Sequence, residues 1–298
     1  MRQFGSYPIY INYADRWEDV RQRQIREFVA KHDRKMVNWL KGTAKQLYEI
    51  TEDKTPSPAA KAFEDQVHDL LQKKIAVTTL GKMLLNGLKR SIKYWIVPLD
   101  AENERICQCG ALTFPGAPKE GGGIRIYFNP TDWKGPWPSA DDVLFHELVH
   151  AYRIARIGYA AQNKTPMSDY DNGEEFIATQ MQNMYLADRN SQLFYLSYKR
   201  PWLSGSKDDA YAYYASAAEV PMALRYFRDS EPLATGVSHW KAPPNGFNPW
   251  RDQQIIERNY LKEVPGVDRL PPFLIPVTRP PSSGPTVPHS NARTARGT

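Results

Sequence analysis

A chain of 298 residues with 41% hydrophobic and 24% charged side chains can bury a full core, as one large or two small domains. Its formal charge of +6 is dispersed, with no run of five or more like charges, which argues against a nucleic-acid surface. There is no long apolar run and no cleavable leader at Met1-Arg2-Gln3-Phe4, so neither a membrane span nor signal-directed export is expected.

Tyr7-Pro8-Ile9-Tyr10-Ile11 reads as a short strand. From Ala14 to about residue 50, Trp17, Val20, Ile25, Phe28, Val29, Met36, Trp39 and Leu40 recur at helical spacing. Thr55-Pro56-Ser57-Pro58 breaks that pattern. A second helix is predicted over 59–73, with Phe63, Val67, Leu70 and Leu71 apolar, and a short third one over 82–88. These helices carry no visible chemistry and are expected to form a lid or support layer. Residues 91–99 read as a strand. Cys107 and Cys109 stand one residue apart, too close for an easy disulfide, and read as two reduced thiols. Residues 110–116 read as a turn-rich connector. Ile124-Arg125-Ile126-Tyr127-Phe128 alternates like a strand and stops at Asn129-Pro130. It is expected at a sheet edge, with free main-chain groups that could hold a substrate.

Phe145-His146-Glu147-Leu148-Val149-His150 is the centre of the chain. On a helix, residues four apart share a face, so His146 and His150 can hold two corners of a tetrahedral zinc. Glu147 is rotated by about 100° from His146. It therefore misses the metal but can reach a water bound there and take its proton. Ser139 with Asp142 three residues on resembles a capping box, and Gly158 stops the helix. Leu144, Leu148, Ala151 and Ala155 form an apolar stripe roughly opposite the histidines.

A catalytic zinc site needs a third protein ligand and an open position. The next helix, opening at Asn172-Gly173-Glu174-Glu175, offers two carboxylates. Helical periodicity puts Glu174 nearer the apolar Phe176, Ile177, Met181 and Met184 face. Glu175 has the small Ala178 one turn on, which leaves room where two helices approach. Glu175 is the chosen ligand, with Glu174 orienting a histidine or the ligand helix, or standing as the alternative ligand. Lys207 to Arg228 reads as one helical stretch rich in tyrosine. Tyr213, Tyr214, Arg225 and His239 are candidates to stabilise charge on a reacting carbonyl. Pro and Gly accumulate from Glu231 onward, and residues 279–298 read as a disordered tail.

Leu80-Gly81-Lys82-Met83-Leu84-Leu85, Ile126-Tyr127-Phe128-Asn129-Pro130, Phe145 to Arg153, and Asn172-Gly173-Glu174-Glu175-Phe176-Ile177-Ala178 together resemble the bacterial effector-type zinc metallopeptidases. These are relatives of the type III secreted effector that cuts host MAP kinases. The resemblance covers about residues 78–200. It implies a gluzincin, with two histidines and a glutamate on one zinc ion, and it supports Glu175, since Glu-Phe-Ile-Ala is similar to the third-ligand helix of other gluzincins. It also implies synthesis in a bacterial cytoplasm, with any delivery into a target cell by a specialised secretion system. Residues 1–75 and the C-terminal third carry no part of it, so the kinase substrate does not transfer.

The expected fold is α+β: a zincin-like metallopeptidase domain over 76–262, a helical N-terminal region over 1–75 and a Pro-rich tail over 263–298. The expected function is a zinc-dependent endopeptidase acting on a protein or peptide, with no nucleic-acid or membrane partner. A zinc amidase acting on a non-peptide amide, and a non-enzymatic module with structural zinc, are the alternatives.

Overall fold

The computed structural model of the chain describes residues 1–12, 57–99, 111–115, 123–131, 139–159, 165–191, 193–197, 203–204, 206–216, 218–240, 246–263 and 269–270. The helical pattern over 14–50, Cys107, Cys109 and the tail from 279 lie outside those residues.

The strands β1 (Arg2–Gln3), β2 (Ile9–Ile11), β3 (Tyr94–Pro98), β4 (Ala111–Pro115) and β5 (Ile124–Phe128) form one sheet in the order β1-β2-β3-β5-β4. β2, β3 and β5 run parallel, while β1 and β4 are antiparallel to their neighbours. β3 and β5 are central and buried on both faces, which is why Tyr-Trp-Ile-Val and Ile-Arg-Ile-Tyr-Phe run apolar almost without interruption. One face packs Ile9, Ile11, Tyr94, Ile96, Ile126 and Phe128 into the main core. The other face buries Trp95, Val97, Leu99 and Tyr127 in a smaller cluster.

The expected edge position of Ile124–Phe128 does not hold. β5 pairs with β3 on one side, Ile126 opposite Ile96, and with β4 on the other, Ile126 opposite Thr113. The displaced edge is β4, in the stretch read as a connector. Its flanking Gly110 and Gly116, with Pro115, hide a five-residue strand whose pairing to β5 is not local in sequence. Among the described residues β4 pairs with β5 alone.

Helix α1 (Pro58–Asp69) starts where Ser57 Oγ accepts from the Ala60 N–H at 3.1 Å and runs on into a π-helical turn, Leu70–Ile75. Helix α2 (Thr79–Gly87) is capped twice: Thr78 Oγ1 accepts from Gly81 N at 3.0 Å, and Asp188 Oδ2 accepts from Leu80 N at 2.7 Å. Only glycine fits at 81, because a Cβ there would stand 2.0 Å from the Ile75 carbonyl oxygen. Phe63, Val67, Leu71, Leu80, Leu84 and Leu85 lie in the same core as Leu144 and Leu148. The described residues of the expected N-terminal region, 1–75, thus share one sheet and one core with residues 76–262.

The long helices are α3 (Ala140–Ile157) and α4 (Gly173–Asp188), packed on each other, with α3 also against β4 and β5. Phe145 stacks on Tyr185 at 4.3 Å between ring centroids. α3 is buried nearly all round, not only along its apolar stripe, and this includes Phe145, Val149 and both histidines.

Beyond α4 lies a two-strand ribbon, β6 (Phe194–Tyr195) with β7 (Leu203–Ser204). The single helix expected over Lys207–Arg228 is two, α5 (Lys207–Ala215) and α6 (Glu219–Ser230). Ser216 Oγ donates to the Tyr213 carbonyl at 2.7 Å at the end of α5, and Pro221 sits in the first turn of α6, where its missing N–H costs nothing. Two more helices, α7 (Pro232–Ser238) and α8 (Gln253–Glu263), lie in the stretch where Pro and Gly accumulate. Pro232 opens a helix there, with Glu231 as its cap. The architecture is mixed α+β. Among the described residues no helix is long and apolar enough to cross a membrane.

Candidate metal centre

α3 is pinned at its start by two buried aspartates. Asp142 Oδ1 accepts from Ser139 N at 3.2 Å, and its Oδ2 accepts from the Tyr195 hydroxyl at 2.8 Å. Asp141 accepts from the Tyr185 hydroxyl at 2.6 Å and pairs with Arg189. α4 begins under Asn172, whose Oδ1 accepts from both Glu174 N and Glu175 N. Fixing both starts holds the two helices in one register, and that register brings three donors together.

His146 Nε2 lies 3.0 Å from His150 Nε2 and 3.2 Å from Glu175 Oε2, and His150 Nε2 lies 3.4 Å from Glu175 Oε2. Bonds of about 2.0–2.1 Å at tetrahedral angles put neighbouring ligand atoms about 3.3 Å apart. The three separations match that edge, and two imidazoles with one carboxylate suit zinc chemically. Among the described residues this is the one group of three such side chains converging on a cation position.

Without a cation the same crowding is a proton trap. Burial works to strip charge from His150, but the Glu175 carboxylate beside it outweighs that, and its pKa is raised to about 9. Burial likewise opposes charge on Glu175, yet the two imidazoles hold its carboxyl well below the usual range.

Glu147 is buried on the same helix and lies outside the converging group. Its Oε2 accepts from Thr113 Oγ1 of β4 at 2.6 Å. His146 Nδ1 is 3.1 Å from Gln182 Oε1.

Glu174 turns away from the histidines. It receives Arg153 Nε at 2.7 Å and Nη2 at 2.6 Å, a bidentate pair with side chains 1% and 2% exposed. Arg153 Nη1 also lies 2.5 Å from Glu231 Oε1 at the start of α7. This buried cluster ties α3, α4 and α7 together beside the three converging donors.

The candidates for stabilising carbonyl charge fall elsewhere. Tyr214 is sealed in the core, where its hydroxyl accepts from Asn183 Nδ2 at 3.0 Å. The Tyr213 hydroxyl donates to Asp169 at 3.1 Å. Arg225 pairs with Glu257 at 2.9 Å, and His239 is exposed at the end of α7. None of the four belongs to the converging group.

Thr113, Gln182 and the Arg153–Glu231 contact are absent from the sequence reading. Gln182 had a signal: it stands seven residues after Glu175, two helical turns along the same face. Thr113 had none, since its strand was not recognised.

Comparison with known protein families, with curated proteins and with solved structures returns no match for this chain.

Proposed function

We propose that the chain is a zinc-dependent endopeptidase of the bacterial effector-type metallopeptidases that its motifs resemble, with a zincin-like domain. The observation that carries this reading is the convergence of His146, His150 and Glu175 at zinc-ligand spacing, with Glu147 excluded from the group but one residue from a ligand.

When bound by these three residues, zinc supplies a Lewis acid and an acidified water at its remaining position. The protein's own groups do the rest. Thr113 donates to Glu147 Oε2 and so holds that carboxylate in place. Glu147 Oε1 then takes a proton from the attacking water and returns it to the leaving amine. β4 supports a peptide over a small amide as substrate. It is the sheet edge beside Glu147, and an extended peptide can add to such an edge by main-chain pairing.

The experiment is mass spectrometry of fragments after incubating the zinc-loaded chain with a proteome, with Glu147→Gln as control. New cleavage sites that vanish in the control support the endopeptidase. Turnover of small amides without protein cleavage would favour the amidase reading, and tight zinc with neither activity would favour a structural ion.

A further inference from the structure

We infer that Gln182 is a positioning residue for the metal centre: it fixes the tautomer of His146 and, being uncharged, sets how tightly the three donors hold their cation. The inference rests on the metal-site reading above.

Gln182 is fully buried on α4, two turns beyond Glu175, and its Oε1 meets His146 Nδ1 at 3.1 Å. A carbonyl oxygen only accepts, so Nδ1 carries the proton and Nε2 presents its lone pair. That Nε2 faces His150 Nε2 and Glu175 Oε2 at 3.0 and 3.2 Å, where the cation belongs. The opposite amide orientation would set an N–H against Nδ1 and drive the proton onto Nε2, blocking coordination. The side chain is therefore placed where a single amide decides whether His146 can be a ligand.

Zinc histidines are often held from behind by a carboxylate, which makes the imidazole a stronger donor. Here the centre already has Glu175 among its donors and Glu147 alongside. A third carboxylate in this buried space would cost desolvation whenever the metal is absent. Gln182 gives the same hydrogen bond without that charge. Among the described residues its Nε2 meets no partner, a cost a purely structural glutamine would have no reason to carry. The device thus exchanges some metal affinity for a metal-free state that still folds.

The test measures zinc dissociation constants on the full chain by competition with a chromophoric chelator. Gln182→Met removes the acceptor at similar volume and is expected to weaken zinc by roughly 10–100-fold. Gln182→Glu, which can only accept, is expected to bind at least as tightly as wild type and to melt at a lower temperature without metal. In 15N spectra of the zinc-loaded wild type, His146 should carry its proton on Nδ1. If Gln182→Met does not fold, Gln182→Asn, too short to reach, takes its place with the same expectation. A wild type that binds zinc while Gln182→Met binds it equally well overturns the inference alone, as does a Gln182→Glu as weak as Gln182→Met. A wild type that binds no zinc overturns the metal-site reading and the inference with it.

Discussion

Thr113 on the edge strand β4 donates its hydroxyl to the Glu147 carboxylate on α3 at 2.6 Å, 34 residues away in sequence. On the function proposed above, the strand that offers its edge to a substrate would also orient the general base. Thr113→Val keeps the shape and removes the donor. Its kcat is expected to fall by about 10-fold, a part of what general-base catalysis contributes, with zinc content and KM little changed. Thr113→Ser should restore most of the loss. Equal kcat in Thr113→Val and wild type would remove Thr113 from the mechanism.

Glu147→Gln should retain one zinc by elemental analysis and lose turnover by roughly 10²–10⁴-fold, because it deletes the proton acceptor and not a ligand. His146→Ala and His150→Ala should lose the metal instead. A Glu147→Gln chain that emerges without zinc would move Glu147 into the ligand set.

The convergence of His146, His150 and Glu175 was legible because its parts are local: both histidines occupy one helical turn, and capping at Ser139 and Asn172 marks where both helices start. Choosing between Glu174 and Glu175 was harder, since periodicity correctly placed Glu174 deeper. What it could not supply was Arg153, the buried partner that makes Glu174 an anchor. The sheet edge was misread because strand order depends on pairing between distant segments, and Ala111–Pro115 is punctuated like a loop. α7 was obscured by Pro232, which breaks a helix interior but suits a first turn, and the break between α5 and α6 was missed because Ser216-Ala217-Ala218 carries no glycine or proline.

Glu175→Ala should abolish zinc binding yet leave the metal-free chain folded, since a buried imidazole that loses its carboxylate partner can give up its proton and stay neutral. Glu174→Ala should do the reverse. It removes the bidentate partner of the buried Arg153 guanidinium, leaving Glu231 on Nη1, and is expected to cost about 3 kcal/mol of stability, while whatever remains folded still binds zinc. Urea denaturation and metal analysis of both variants decide this. If Glu174→Ala strips zinc at unchanged stability, the two roles are exchanged.

Zinc removal should destabilise the wild type and leave His150→Ala unaffected. A ligand at about 100 times its dissociation constant adds about 2.7 kcal/mol to the folded state. Calorimetry with and without a chelator should therefore show a lower melting temperature for the stripped wild type. Identical melting curves would mean that the three donors hold nothing.

At the start of the metal helix, stability should depend on pH through Asp142. Burial pushes the Asp142 carboxyl up from 3.8 to about 6, and the neighbouring Asp141 charge adds to the rise, against the Tyr195 hydroxyl and the Ser139 cap, which lower it. A raised acid pKa means that the folded state binds the proton more tightly than the unfolded chain. Stability from this group is therefore fully present below the unfolded value of 3.8 and is lost as pH climbs through about 6. The span amounts to about 3 kcal/mol at about 1.4 kcal/mol per unit. Asp142→Asn cannot ionise, and its oxygen can still accept from Ser139 N. Its stability relative to wild type should therefore improve by up to about 3 kcal/mol between pH 4 and pH 7.5. Urea denaturation of both proteins at the two pH values measures this directly, because other carboxylates titrate alike in both and cancel. A difference that stays constant across the window would show that Asp142 is no less ionised in the folded chain than in the unfolded one.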